Sequence, residues 1–173
     1  MSVTLYLSWF PIVFWPLSWF MALLIHEIGH VIVFVVLTQS GSWHIYLGGG
    51  KPLFKMSKLT IGANFIMGGK AVFNPSFSIS RMKTIFICAG GIFFNVASLA
   101  FAIIFFPVFE QLILRYFGLV FTNRYIYIKN YFLVANMLMI AVTIFPCEYR
   151  YGLHKGASDG LRIFRLLRNR ETL

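Results

Sequence analysis

Apolar positions in this chain do not alternate with polar ones; they form long runs separated by short basic stretches. A helix that crosses a bilayer needs about 20 mainly apolar residues. Three runs meet that length: about Trp15 to Leu37, about Thr84 to Phe106 and about Tyr127 to Pro146. Lys129, near the start of the third, has a stem long enough to carry its ammonium to the interface. Residues 1–14 are apolar too, but Pro11 and Pro16 interrupt the pattern. They read as a helical lead-in, an interfacial segment or a kinked extension. The front of the chain has neither the positive region nor the small-residue cleavage site of a secretory signal peptide. The first apolar segment is therefore expected to remain in place.

The stretch between the first two runs has a different texture. WHIYLGGGKPLFKMSKLTIGANFIMGGKAVF, about 43–73, has short β-prone runs divided by glycines and a Lys-Pro, which predicts two or three short strands. Gly48-Gly49-Gly50 is not a phosphate loop, since no GKS/T ending and no helix follow it. The tail LRIFRLLRNRETL sets Leu161, Phe164 and Leu167 or Leu166 against arginines and predicts a short amphipathic helix over about 161–171 on the inner leaflet. No repeat or low-complexity linker divides the chain. The expected fold is a single α-helical polytopic membrane domain over 1–173. It has about three transmembrane helices and a short β-hairpin or small sheet after the first.

Composition supports this reading. Hydrophobic residues are 59% of the chain and charged residues 12%, against roughly a quarter charged in ordinary globular proteins. The net charge of +10 raises nucleic acid as a partner, but the basic residues flank apolar runs and do not cluster on a soluble face. Six lie within 38–83, two within 107–126 and six within 147–173. The positive-inside rule then puts the N-terminus outside, the strand-forming loop and the tail in the cytoplasm, and 107–126 outside as a loop. The bilayer is the expected partner, and no nucleic acid is. The 20 Phe, 8 Tyr and 4 Trp suit lipid-facing and interfacial surfaces. Cys88 and Cys147 lie far apart in or beside apolar runs and read as buried thiols, with no disulfide framework.

The exception to all this apolarity is LLIHEIGHVIVF, Leu23 to Phe34. Ionisable groups are costly in hydrocarbon and mark function. His26 and His30 are four apart on a helix, so both imidazoles project from one face and can grip one metal ion. Glu27 sits beside them, free of the metal, where a carboxylate can act as general base. Gly29 leaves one flank uncrowded. A hydrogen-bonded cluster or a proton path is the plainer alternative. Zinc with two histidines still lacks a third protein ligand. Glu110 falls at the opposite membrane face and Glu171 in the tail, which leaves Asp159, His154 and Glu148 on the correct side. Asp159 is the sole aspartate of the chain. Asn95 and Asn136 are amides in mid-span and belong in a bundle interior, where Gly90 and Gly91 allow close helix packing.

HEIGH at 26–30, GIFFN at 91–95 and SDG at 158–160 occur in that order. The chain thereby resembles the site-2 protease family of intramembrane zinc metalloproteases, from about residue 15 to 165. That family has HExxH in one span, Gly-Pro-x-x-Asn in the next and Asp-Gly after a third. The strands ending in MGGKAVF also resemble the family's sheet after the HExxH helix. The resemblance implies Zn2+ held by His26, His30 and Asp159, Glu27 as the catalytic base, and Asn95 near substrate or the developing oxyanion. It implies hydrolysis of a peptide bond in or near a transmembrane segment of a membrane-protein or signal-peptide substrate. The expected location is the plasma membrane of a prokaryote. Ile92 stands where the family has proline. Twelve residues, CEYRYGLHKGAS, separate Pro146 from Asp159 where the family often has a few, which keeps His154 as the alternative third ligand. The first loop has no room for a PDZ module. Edge strands within Ile45–Phe54 are expected to receive the unwound substrate as an added strand. The competing reading is a non-catalytic metal-binding or helix-binding membrane protein, either an inactive relative or a transporter subunit.

Overall fold

The computed structural model describes residues 3–64, 68–149 and 156–168. Helix α1 runs Val3–Thr38 with Pro11 and Pro16 inside it, so the apolar lead-in continues the first span. The helix stops where the apolar run stops. Thr38 Oγ1 turns back to the Phe34 carbonyl at 2.6 Å, and Gln39 adopts φ 54, a left-handed terminator conformation. Lys83 donates to the Leu37 carbonyl at 2.9 Å, which ties the end of α1 to the start of the next long helix.

Four strands follow: β1 Trp43–Leu47, β2 Pro52–Lys55, β3 Leu59–Gly62 and β4 Gly69–Phe73. This is a fuller sheet than the two or three strands expected, with order β2-β3-β1-β4. β1 is parallel to β3 and antiparallel to β4. β1 is thus internal, and the open edges are β2 and β4. One face packs along α1: Ile45 and Leu47 join Ala22, Leu23, Val31, Ala135 and Met139 in the buried core. Phe34 and Phe73 stack at 4.4 Å where β4 meets α1.

Helix α2, Arg81–Ile144, is broken at Gly118, where φ is 78 and ψ −179. Its limbs, Arg81–Leu119 and Phe121–Ile144, are each long and apolar enough to cross a membrane, as is Pro11–Thr38 of α1. The stretch 107–126, expected as a loop, is helical except at this break. Contacts across the hairpin explain why helix persists there. Lys129 pairs with Glu110 at 2.6 Å, and the Tyr125 hydroxyl donates to the Phe106 carbonyl at 3.1 Å. Lys129 therefore answers a carboxylate. No side chain crowds Gly118; glycine is needed there for its positive φ alone.

After α2 come β5 Glu148–Tyr149 and β6 Gly156–Ala157, an antiparallel pair, and helix α3 Asp159–Leu167. The amphipathic tail thus begins two residues earlier than expected, at Asp159. Residues 150–155 and 169–173 are outside the described residues.

Candidate metal centre

His26 and His30 lie on one face of α1, 3% and 7% exposed. Their Nε2 atoms are 3.0 Å apart. Asp159 Oδ2 stands 2.9 Å from His26 Nε2 and 3.2 Å from His30 Nε2. The three expected ligands therefore converge on one point, although 133 residues separate His26 from Asp159.

The far side of each ring fixes its tautomer. His30 Nδ1 is 2.7 Å from the Ile87 carbonyl, which can only accept, so Nδ1–H is the donor. The Gly91 N–H approaches the same nitrogen at 3.3 Å but cannot alter that assignment. His26 Nδ1 lies 2.8 Å from Asn95 Oδ1. In their neutral form both imidazoles thus turn an Nε2 lone pair toward the carboxylate. Three acceptors facing one another repel unless a cation lies between them. Donors around a four-coordinate ion with bonds of about 2.0–2.1 Å stand about 3.3 Å apart, close to the spacing here. His26, His30 and Asp159 therefore fit, and could hold, one metal ion.

Glycines let the backbone come this close. A Cβ on Gly91 would stand 2.5 Å from His30 Nε2 and 2.6 Å from His26 Cε1. Gly29 of the HEIGH segment and Gly90 pack face to face; a Cβ on Gly29 would meet the Gly90 carbonyl oxygen at 2.6 Å. The crossing of α1 and α2 is set by that contact, which is what places Ile87, Gly91 and Asn95 behind the histidines.

The twelve residues before Asp159 close on themselves. Cys147 and Ser158 are joined by Ser158 N–H to the Cys147 carbonyl at 2.9 Å and by Cys147 N–H to Ser158 Oγ at 3.2 Å. The Ser158 hydroxyl also donates to the Phe145 carbonyl at 2.7 Å and caps α3 by accepting from Leu161 N–H at 3.2 Å. All its hydrogen-bonding capacity is used. β5 and β6 pair with each other, and Gly160 lies against Ile144, so Asp159 returns to the end of α2 despite the long spacing. Burial works to raise the Asp159 carboxyl, but His26 and His30 in their protonated form, donating to it, outweigh burial and hold the group well below the usual carboxylate range. The Tyr149 phenol beside it is pushed up to about 12, first by burial and then by the Cys147 thiol; its hydroxyl donates to the Val142 carbonyl at 2.9 Å.

Glu27 is 5% exposed and points to the other side, at β4. Its carboxylate accepts from the Ala71 backbone N–H, and a Cβ on Gly69 would lie 2.7 Å from its Oε1. Glu27 and the three candidate ligands border one cavity of about 330 Å3, lined also by Trp19, Met139 and Tyr149.

Other expectations resolve differently. Glu148 pairs with Arg165 away from the centre, and His44 bonds Thr60 Oγ1 on the sheet at 2.9 Å. His154 lies outside the described residues. The Asn95 amide touches His26, and its Nδ2 donates both to the Ala22 carbonyl at 3.0 Å and to Asn136 Oδ1 at 2.9 Å. The part played by Asn136 was invisible in sequence beyond its being a polar residue in mid-span. Compared with protein-family models, curated proteins and solved structures, the chain matches none.

Proposed function

We propose that this chain is an intramembrane zinc metalloendopeptidase of the site-2 protease type, cleaving a peptide bond in or near a transmembrane segment. The observation that carries the reading is the shared cavity. A buried carboxylate that is not a ligand, Glu27, opens onto the same space as three converging ligand atoms. A purely structural metal site is closed and has no use for such a neighbour.

In this reading α1 and both limbs of α2 cross the plasma membrane of a prokaryote, N-terminus outside and tail in the cytoplasm, as the basic residues of the flanks favour. His26, His30 and Asp159 hold the ion. When bound, a divalent zinc ion supplies Lewis-acid polarisation and a site for activating water. Glu27 takes one proton from the attacking water, whose oxygen bonds to the scissile carbonyl carbon. It then returns that proton to the nitrogen as the C–N bond breaks.

A helical amide is shielded by its own hydrogen bonds, so the substrate must enter extended. The sheet has two open edges: β2, which the expected range Ile45–Phe54 includes in part, and β4, while β1 is paired on both sides. The edge at the cavity is β4. Its bonds to β1 are phased by Gly48 N–H to Gly68 O and Asn74 N–H to Ser42 O. In an antiparallel ladder these directions alternate, so Gly69, Ala71 and Phe73 turn their backbone groups away from β1. Strand addition there sets the scissile bond beside Glu27.

The test is Glu27→Gln in the full chain, purified in detergent and also expressed in cells. Bound zinc should be retained while cleavage of transmembrane substrates falls by about 10²-fold or more, and uncut membrane fragments should accumulate. Unchanged zinc together with unchanged fragments would refute the protease reading.

A further inference from the structure

The histidine–carboxylate cluster is joined to a second, fully buried polar group. Asn95 and Asn136 are both 0% exposed, on opposite limbs of α2. An amide in such a place can point either way, and here two backbone carbonyls decide. Asn136 Nδ2 donates to the Phe132 carbonyl at 2.9 Å, which leaves Asn136 Oδ1 as an acceptor. That oxygen accepts from Asn95 Nδ2 at 2.9 Å, and the same nitrogen donates to the Ala22 carbonyl at 3.0 Å. Both hydrogens of the Asn95 amide are thereby spent. Its oxygen has one orientation left, toward His26 Nδ1 at 2.8 Å. A carbonyl oxygen accepts only, so the ring must carry a proton on Nδ1, and in the neutral ring that leaves Nε2 bare.

We infer that Asn95 and Asn136 form a one-way hydrogen-bond relay that fixes the tautomer and ring orientation of His26, and that they are positioning residues for metal affinity. The polarity of the chain is set by the Phe132 and Ala22 carbonyls, which cannot reverse. His30 needs no such relay, since the Ile87 carbonyl serves its Nδ1 directly. Asn95 has no N–H left for a substrate oxyanion; it acts through the histidine. Partners of this kind on ligating histidines typically change metal affinity by 10–100-fold. The inference rests on the metal-centre part of the proposed function and not on proteolysis.

The experiment is cobalt(II) titration of the full chain in detergent, followed by the ligand-field absorption of the bound ion. Wild type should bind one ion with the intense spectrum of a tetrahedral site. Asn95→Leu removes the acceptor while keeping bulk, and should weaken binding by about 10–100-fold. Asn95→Asp retains an acceptor for Nδ1–H but gives up the two Nδ2 donations to the Ala22 carbonyl and Asn136 Oδ1, and should bind several-fold more tightly than Asn95→Leu, which a mere packing role does not predict. Asn136→Leu should weaken binding, and the double variant Asn95→Leu/Asn136→Leu should be no weaker than Asn95→Leu alone, because the second residue acts only through the first. Thermal unfolding of the metal-free variants checks that each is folded. Wild-type affinity and spectrum in Asn95→Leu would overturn the relay, as would an Asn95→Asp variant as weak as Asn95→Leu. Wild type without bound cobalt would overturn the metal centre and the relay together.

Discussion

Gly160 lies against the end of α2 so closely that a Cβ on it would stand 1.9 Å from the Ile144 carbonyl oxygen. The obstacle is backbone and cannot rotate aside. The residue after Asp159 is thus small because α3 touches the end of α2, and that contact sets where the carboxylate sits. Gly160→Ala should lift α3 and carry Asp159 away from the histidines. Displacements of about 1 Å at reacting groups cost about 10²-fold, so cleavage should fall by that order and bound metal should drop. Gly41→Ala, where the nearest neighbour is Lys58 Nζ at 3.7 Å, should change neither. Metal analysis and cleavage assays on the two variants check this.

Gly91 works at the centre itself. The methyl group of Gly91→Ala would press on both imidazoles, 2.5 Å from His30 Nε2. The expected result is a folded protein that binds metal poorly. Circular dichroism should be near wild type while metal content after dialysis falls well below one per chain.

The third ligand separates two sequence readings. Asp159→Ala should abolish tight metal binding, since it removes the atom within 3.2 Å of both Nε2 atoms. His154→Ala should leave metal content unchanged. Loss of metal in His154→Ala alone would reassign the ligand.

How much of this was legible in the chain depends on the reach of each contact. HEIGH could be read because a helix fixes the geometry of residues four apart. The spans could be read because hydrocarbon thickness sets a length. The sheet order could not: the parallel pairing of β1 with β3 skips β2, and no periodicity encodes which strand lies on the edge. Two-residue strands such as β5 and β6 leave no pattern at all, so the closure of Cys147 on Ser158 was hidden. The helical course of 107–126 depended on Glu110 meeting Lys129, 19 positions away. Asn95 and Asn136 could be marked as interior amides, but their direction is decided by the carbonyls of Phe132 and Ala22, which depends on how three helices cross.

β4 gives the test of substrate entry. Ala71→Pro removes an N–H on the open edge, the one that also steadies Glu27, and leaves the β1 ladder in place. Cleavage should collapse with metal retained. Phe54→Pro, on the edge strand β2 at the other side of the sheet, should cleave normally. Equal loss in both variants would mean that sheet integrity, and not the β4 edge, is what cleavage needs.

The closing of the β5–β6 hairpin also has a consequence in time. A ribosome delivers His26, Glu27 and His30 early and Asp159 133 residues after His26. Until α3 emerges and docks through Gly160, the growing chain carries His26, Glu27 and His30 without Asp159. Under the proposed function, a chain still being made therefore has no complete site with which to cut its neighbours.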